Sequence, residues 1–283
     1  MTPRLEVKKT YKLYINGEFP RSESGRSYPA LSADGDVLAR VARGSRKDLR
    51  DAVRAARTAQ EKWAAKSGYN RGQILYRIAE MIEDRASAFA EQLAAGGLTS
   101  ARARREVGES VDRMVWYAGW ADKFSQVFGN LNPVAGPFFN ISAPEPTGVV
   151  GIVAPETPAL LGLVSRLAPV IVSGNAAVVV ASESQPLPAI TFSEVLESSD
   201  VPSGVVNILT GSAEELVPWL SDHMDVNAVD LAGATPDVAL RAQQGAVYNV
   251  KRLVGKSGYS DAQSPYLIAA FTETKTVWHP KGL

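Results

Sequence analysis

The chain has 283 residues, 45% hydrophobic and 21% charged, enough apolar material for about two globular domains with buried cores. Thirty basic residues balance thirty acidic ones, so no general field draws it to nucleic acid or an anionic membrane. There is no cysteine and the only histidines are His223 and His279, which excludes disulfides, thiolate metal sites and a cysteine nucleophile and argues against a histidine metal centre.

The opening MTPRLEVKK lacks the apolar stretch of a signal peptide, and the longest apolar run, Ala159 to Val172, is interrupted by Arg166. No segment reaches the roughly 18 apolar residues a membrane helix needs, and a cytoplasmic location is expected. YKLYINGEF places Asn16-Gly17 between alternating residues, a hairpin signal. Ser45 with Asp48 three residues later resembles a capping box, and Leu49, Val53 and Ala56 follow at helical spacing, so a helix should run to about Trp63. A second helix carries Ile74, Leu75, Ile78 and Ile82 on one face and should end at Gly96-Gly97. A third, from Ala101 to Phe128, is held by Val107, Val111, Met114, Val115 and Ala118, with Arg102, Arg104 and Arg105 on a solvated face.

After the turn-rich GNLNPVAGP the pattern changes to strands alternating with helices. Val149 to Ala154 and Ala176 to Ala181 are unbroken apolar runs, as in buried parallel strands. Val205 to Gly211 and Asn227 to Gly233 are further strands, with helices at Leu160 to Val172, Pro188 to Leu196 and Glu214 to Leu220. This order predicts an α/β fold with a doubly wound parallel sheet, whose ligands bind beyond the carboxyl ends of the strands. Tyr266 to Trp278 reads as extended chain that pairs with another strand. Tyr248 and Lys251 are three residues apart rather than the four that a short-chain dehydrogenase pair requires.

Several phrases together resemble the aldehyde dehydrogenase superfamily: YINGEF, the helix from Trp63 to Ala79, Pro146 to Pro155, Leu167 to Asn175, Ser182-Glu183, Pro202 to Gly211, Gly255-Lys256-Ser257 and the closing Phe271 to Gly282. Their shared order carries the resemblance. It implies a Rossmann-like dinucleotide-binding core over 148–258, preceded by a hairpin and helices over 1–134. An oligomerisation arm is implied at 135–147 and 259–283.

The departures from the family pattern govern the functional expectation. The family's Pro-Trp-Asn, whose Asn amide helps form an oxyanion hole, reads Pro155-Glu156-Thr157 here, and a threonine hydroxyl is the shorter donor. The stretch aligned with the family's general-base glutamate reads Arg252-Leu253-Val254-Gly255-Lys256, and an arginine stays protonated. The chain passes from Ser257 to the closing segment within about ten residues, so the catalytic domain and its cysteine are expected to be missing. Thr157 and Arg252 are thus degenerate catalytic positions, and no catalytic residue is assigned.

For the cofactor, the resemblance points to Pro155, Ser182, Glu183, Gly211 and Gly233. Val180 replaces the ribose-holding lysine, and Ala232-Gly233-Ala234 replaces Thr-Gly-Ser. Glu183 can serve as a ribose ligand or as an acid at a helix N-terminus, and Gly211 and Gly233 as phosphate contacts or as turn residues. No cofactor is certain on this reading, and NAD binding, if present, is weak. The resemblance further implies an arm strand, from Phe138 to Glu145 and the tail, that adds to a partner. The expectation is a non-catalytic, pseudoenzyme-like subunit, similar to the degenerate second copy of two-copy family members. It would form a hetero-oligomer with an intact aldehyde dehydrogenase, or a homo-oligomer. A free-standing NAD(P)-binding sensor and an active NAD-dependent oxidoreductase are the alternatives.

Overall fold

The structure is a computed structural model and describes residues 9–255 and 263–282. Lys256 and Ser257 of the Gly-Lys-Ser phrase lie outside the described residues.

The N-terminal strands β1 (Thr10–Tyr11), β2 (Ser27–Leu31) and β3 (Val37–Ala42) form a small sheet in the order β1-β3-β2. Asn16 and Gly17 both take positive φ, 56° and 75°, and close the expected turn across an Ile15–Glu18 bridge. Helix α1 (Arg46–Ala64) starts at the capping box foreseen from its sequence. The Ser45 hydroxyl accepts the Asp48 N–H at 3.3 Å, and the Asp48 carboxylate accepts the Ser45 N–H at 2.8 Å.

Where one long helix is expected from Ile74 to Gly96, there are two, α2 (Gly68–Asp84) and α3 (Ala86–Ala95). The break at Arg85, φ −102° and ψ 17°, lets α3 pack on a later helix, where Arg85 Nη1 donates to Glu194 at 3.4 Å. The third expected helix is likewise divided into α4 (Ser100–Trp120) and α5 (Phe124–Phe128). Gly68 packs so tightly against this division that a Cβ there would lie 2.4 Å from the Ala121 carbonyl oxygen. Val115, expected in the core, is 39% exposed, whereas Val107 and Met114 are buried.

Strands β4 (Asn130–Asn132) and β5 (Phe138–Pro146) precede the alternating segment. That segment runs β6 (Val149–Val153), α6 (Ala159–Val172), β7 (Ala176–Val180), α7 (Leu187–Glu197), β8 (Val206–Leu209), α8 (Ala213–Asp222) and β9 (Ala228–Asp230). It continues with α9 (Pro236–Ala246), a 3-10 turn at Val247–Asn249 and β10 (Arg252–Val254). The five strands form one parallel sheet in the order β10-β9-β6-β7-β8, the predicted doubly wound arrangement. Alternate side chains feed two cores. Val150, Ile152, Ala177, Val179 and Ile208 face one, with α4, α6 and α7. Val149, Val153, Val178, Val180 and Val229 face the other, with α1 and α8. The outer edge of β8 is capped by an antiparallel bridge from Tyr14 to Ile208.

The tail differs from its expectation at its start. Tyr266 begins no strand. It lies in a short helix, α10 (Pro265–Ala269), whose Leu267 and Ile268 are buried beside Phe271. Ser264 caps that helix by accepting the Tyr266 N–H, and Pro265 supplies the helical φ of its first position. Strand β11 (Thr272–Pro280) then pairs antiparallel with β5 over all nine of its residues, from Thr272↔Pro146 to Pro280↔Phe138. With β4 they make a second sheet in the order β11-β5-β4. No helix among the described residues is long and apolar enough to cross a membrane.

Candidate functional site

The strand order reverses beside β6, with β7 and β8 on one side and β9 and β10 on the other. In open parallel sheets this is where a crevice forms beyond the carboxyl ends. Pro155-Glu156-Thr157 leaves β6 there, and Ala232-Gly233-Ala234 leaves β9. The two turns touch: the Gly233 N–H donates to the Val153 carbonyl at 3.0 Å, and a Cβ on Gly233 would lie 2.2 Å from the Ala154 carbonyl oxygen. Glycine is therefore required at 233 by backbone packing alone.

A cavity of about 650 Å³ opens at this edge, between the β6 turn, α4 and α6, with Pro155, Thr157 and Leu161 on its wall beside Arg113, Ser165 and Arg166. Arg166 is 1% exposed and Asp230 fully buried. Their ion pair, Arg166 Nε to Asp230 Oδ2, measures 2.6 Å, and the other Asp230 oxygen accepts the Ala232 N–H at 2.9 Å. Burial pushes the Asp230 carboxyl above its ordinary range while Arg166 and the Ala232 N–H pull it back. The terminal nitrogens of Arg166, Nη1 and Nη2, are enclosed and meet no acceptor among the described residues. On α4, Arg113 Nη1 donates to the Ser165 hydroxyl at 2.8 Å. Glu106, one turn away from Ser110 on the same helix, accepts the N–H groups of Leu160 and Leu161 at 2.9 and 3.2 Å. It thereby supplies the N-terminal cap that Pro158 cannot give α6. Burial raises the Glu106 carboxyl, partly offset by these two donors.

The adjacent turn, after β7, is closed. The Glu156 carboxylate reaches from the β6 turn and accepts the Glu183 N–H at 3.1 Å, the Ser184 N–H at 3.0 Å and the Ser182 hydroxyl at 2.7 Å, with the Ser184 hydroxyl at 2.5 Å. Burial alone would raise its proton affinity; the four donors outweigh it and hold Glu156 below the usual carboxylate range.

Of the sequence-derived positions, Pro155, Thr157 and Gly233 meet at the open crevice, and Ser182 and Glu183 meet beneath Glu156. Gly211, φ 135°, lies after β8, two strands from β6 on the same carboxyl edge, against Gly44, whose N–H donates to the Thr210 carbonyl at 2.7 Å. Arg252 is not brought to the crevice. It pairs with Ala228 at the amino end of β9, opposite to the ligand end of the sheet. Its guanidinium bonds the Ala270 and Thr272 carbonyls and, at 2.8 Å, the Glu273 carboxylate. It is a strut between β10 and β11.

The donors of the β7 turn are taken by Glu156, and Val180 offers no side-chain hydrogen bond to a ribose. Sequence reasoning missed Glu156, Glu106, Arg113 and the Arg166–Asp230 pair. Single charges inside otherwise apolar runs, ALLGLVSRLAPVIV and NAVDL, are the signal that points to the pair.

Comparison with known proteins agrees with this architecture. The aldehyde dehydrogenase family model matches residues 21–262. Cytosolic 10-formyltetrahydrofolate dehydrogenase of Xenopus laevis is 33% identical over 273 residues, covering 93% of this chain and 30% of that protein. Aldehyde dehydrogenase 1A1 of Gallus gallus is 32% identical over 272 residues, covering 94% and 52%. Among solved structures, an NAD-dependent aldehyde dehydrogenase from Sinorhizobium meliloti superposes with a TM-score of 0.82 at 27% identity, covering 90% of this chain and 51% of its own. HpcC from Thermus thermophilus gives 0.83 at 29%, covering 88% and 48%. The chain thus spans about half, or less, of the proteins it matches. By sequence and by fold, it belongs to the aldehyde dehydrogenase family.

Proposed function

We propose that this chain is a non-catalytic member of its family that acts as a structural or regulatory subunit, docking its arm onto an intact aldehyde dehydrogenase. The carrying observation is β11. It lies at the edge of the arm sheet, and all of its residues from Glu273 to Pro280 are exposed. A nine-residue strand with one row of unpaired backbone donors and acceptors is a template for strand addition. Chemistry is disfavoured by the same residues that define the site. There is no cysteine, Thr157 offers only a hydroxyl at the crevice, and Arg252 is engaged as a strut.

Co-expression with a full-length aldehyde dehydrogenase, followed by affinity capture and sedimentation, tests the reading. A stable complex that is lost when β11 is truncated after Phe271 supports it. A chain that sediments as a monomer and never associates overturns it. Isolated chain should produce no NADH from aldehydes, and calorimetry should detect no micromolar NAD binding. Micromolar binding would favour the sensor reading instead.

A further inference from the structure

We propose that the groove between α1 and α8 docks an extended acidic segment of another protein, in which two carboxylates stand two residues apart. The groove encloses about 780 Å³ and runs along α8 from Glu215 to His223, with Arg46, Lys47 and Arg50 on the α1 side. It lies in the helical layer that covers one face of the five-stranded sheet, and no residue of the arm lines it. Its charges are unevenly matched. The Glu215 carboxylate is shared by Arg26 at 2.5 Å and Arg43 at 3.2 Å, which leaves one of those two cations without an acid. Arg46 meets no carboxylate among the described residues, and its guanidinium lies 4.0 Å from the centre of the Trp219 ring instead. The remaining acids here are answered one by one: Glu23 by Lys47, Asp222 by Arg241 and, beside the groove, Asp51 by Arg50. Asp48 is turned inward, onto the Ser45 and Glu23 N–H groups. Two positive charges are therefore left in the groove of a chain whose net charge is zero.

The spacing and the side chains narrow the partner. Glu215 and Trp219 stand one turn apart on α8, which sets the two surplus cations roughly 6 Å from each other. Alternate residues of an extended chain project to one side at about 7 Å, so an acid at every second position meets both. Trp219 is 40% exposed, and tryptophan and arginine are the types that anchor protein interfaces. A free small anion suits the groove less well, because its cations are carried on exposed or half-exposed side chains with no buried donor to fix an orientation. A nucleic acid suits it less well too, because a continuous row of phosphates would run past Glu23 and Asp222.

The probe is a short fluorescent peptide of alternating glutamate and alanine, titrated into the full chain and followed by anisotropy. The matching glutamine–alanine peptide, inorganic phosphate and a thymidine oligonucleotide serve as competitors. Arg46→Glu and Trp219→Ala alter the groove at exposed positions, and an acid at the first position of α1 suits the helix dipole. Arg102→Glu, exposed on α4, makes the same change of charge away from the groove. The expected result is binding that weakens as salt rises, falls at least tenfold in Arg46→Glu and at least threefold in Trp219→Ala, and changes less than twofold in Arg102→Glu. No binding of the acidic peptide, a groove variant that binds unchanged, equal losses in Arg46→Glu and Arg102→Glu, or a competitor as effective as unlabelled acidic peptide would each overturn the assignment.

Discussion

The five-stranded sheet and the arm sheet use similar apolar side chains to opposite ends. Every residue of β6 and β7 is buried, because helices cover both faces. In the arm, β5 alternates and β11 is exposed almost throughout, so Leu131, Ile141 and Val277, in register across three strands, face outward at 67%, 48% and 49% exposure. β-propensity is alike in the two regions; coverage is not. The core is complete within the chain, and the arm has backbone pairing without a packed layer above it.

The largest expected effect breaks the core at its one fully buried ion pair among the described residues. Arg166→Met leaves the Asp230 carboxylate uncompensated and should lower unfolding stability by about 3–5 kcal/mol, read from urea denaturation. A loss under about 1 kcal/mol would mean that the interior tolerates the charge. Next, the same substitution in the two sheets gives the sharpest contrast. Ile152→Ala, in the core and 0% exposed, should cost about 2–5 kcal/mol, whereas Ile141→Ala on the arm should change the isolated chain by less than about 0.5 kcal/mol. Equal losses at both positions would show that the arm is packed in solution.

Glu156→Gln probes the seam between the β6 and β7 turns and should cost about 1 kcal/mol at pH 7, after allowance for solvent screening of a partly exposed group. The pH dependence has a definite sign. The folded-state affinity of Glu156 for protons is depressed, so its contribution is fully present above the ordinary value of 4.5 and is lost as the pH falls through the lower folded value. Stability measured from pH 6 downward should fall less steeply in the glutamine variant. A second pH-dependent effect, of opposite sign, concerns Lys251. Burial lowers its ammonium to about 8, with Asp222 pulling the other way. The charge therefore opposes folding below that pH and ceases to do so as the pH rises towards 10.5. Lys251→Met should gain on the order of 1 kcal/mol at pH 7, with the gain shrinking by pH 10; thermal melts at the two pH values would check this.

Much of the architecture was legible before any coordinates, for local reasons. The apolar runs at 149–154 and 176–181 could only be buried strands, Ser45 and Asp48 announced α1, and Asn16-Gly17 announced its turn. Less visible were α9, β2 and β3, which have short or mixed patterns, and the interruptions at Arg85 and after Trp120, which arise from packing rather than from a local breaker. The candidate site was half legible. Pro155, Thr157 and Gly233 meet as their positions after parallel strands require; Arg252, expected as a degenerate position, lies at the amino end of β10, which only the strand register shows.

The sequence by itself determined the alternating fold class, the absence of a thiol and the loss of the family's asparagine and lysine, since these depend on residue identity and local period. Only the tertiary structure decided that Glu156 closes the β7 turn and that Arg166 meets Asp230, 64 positions away. Such pairings depend on which strand ends the topology brings side by side, and no local pattern encodes that.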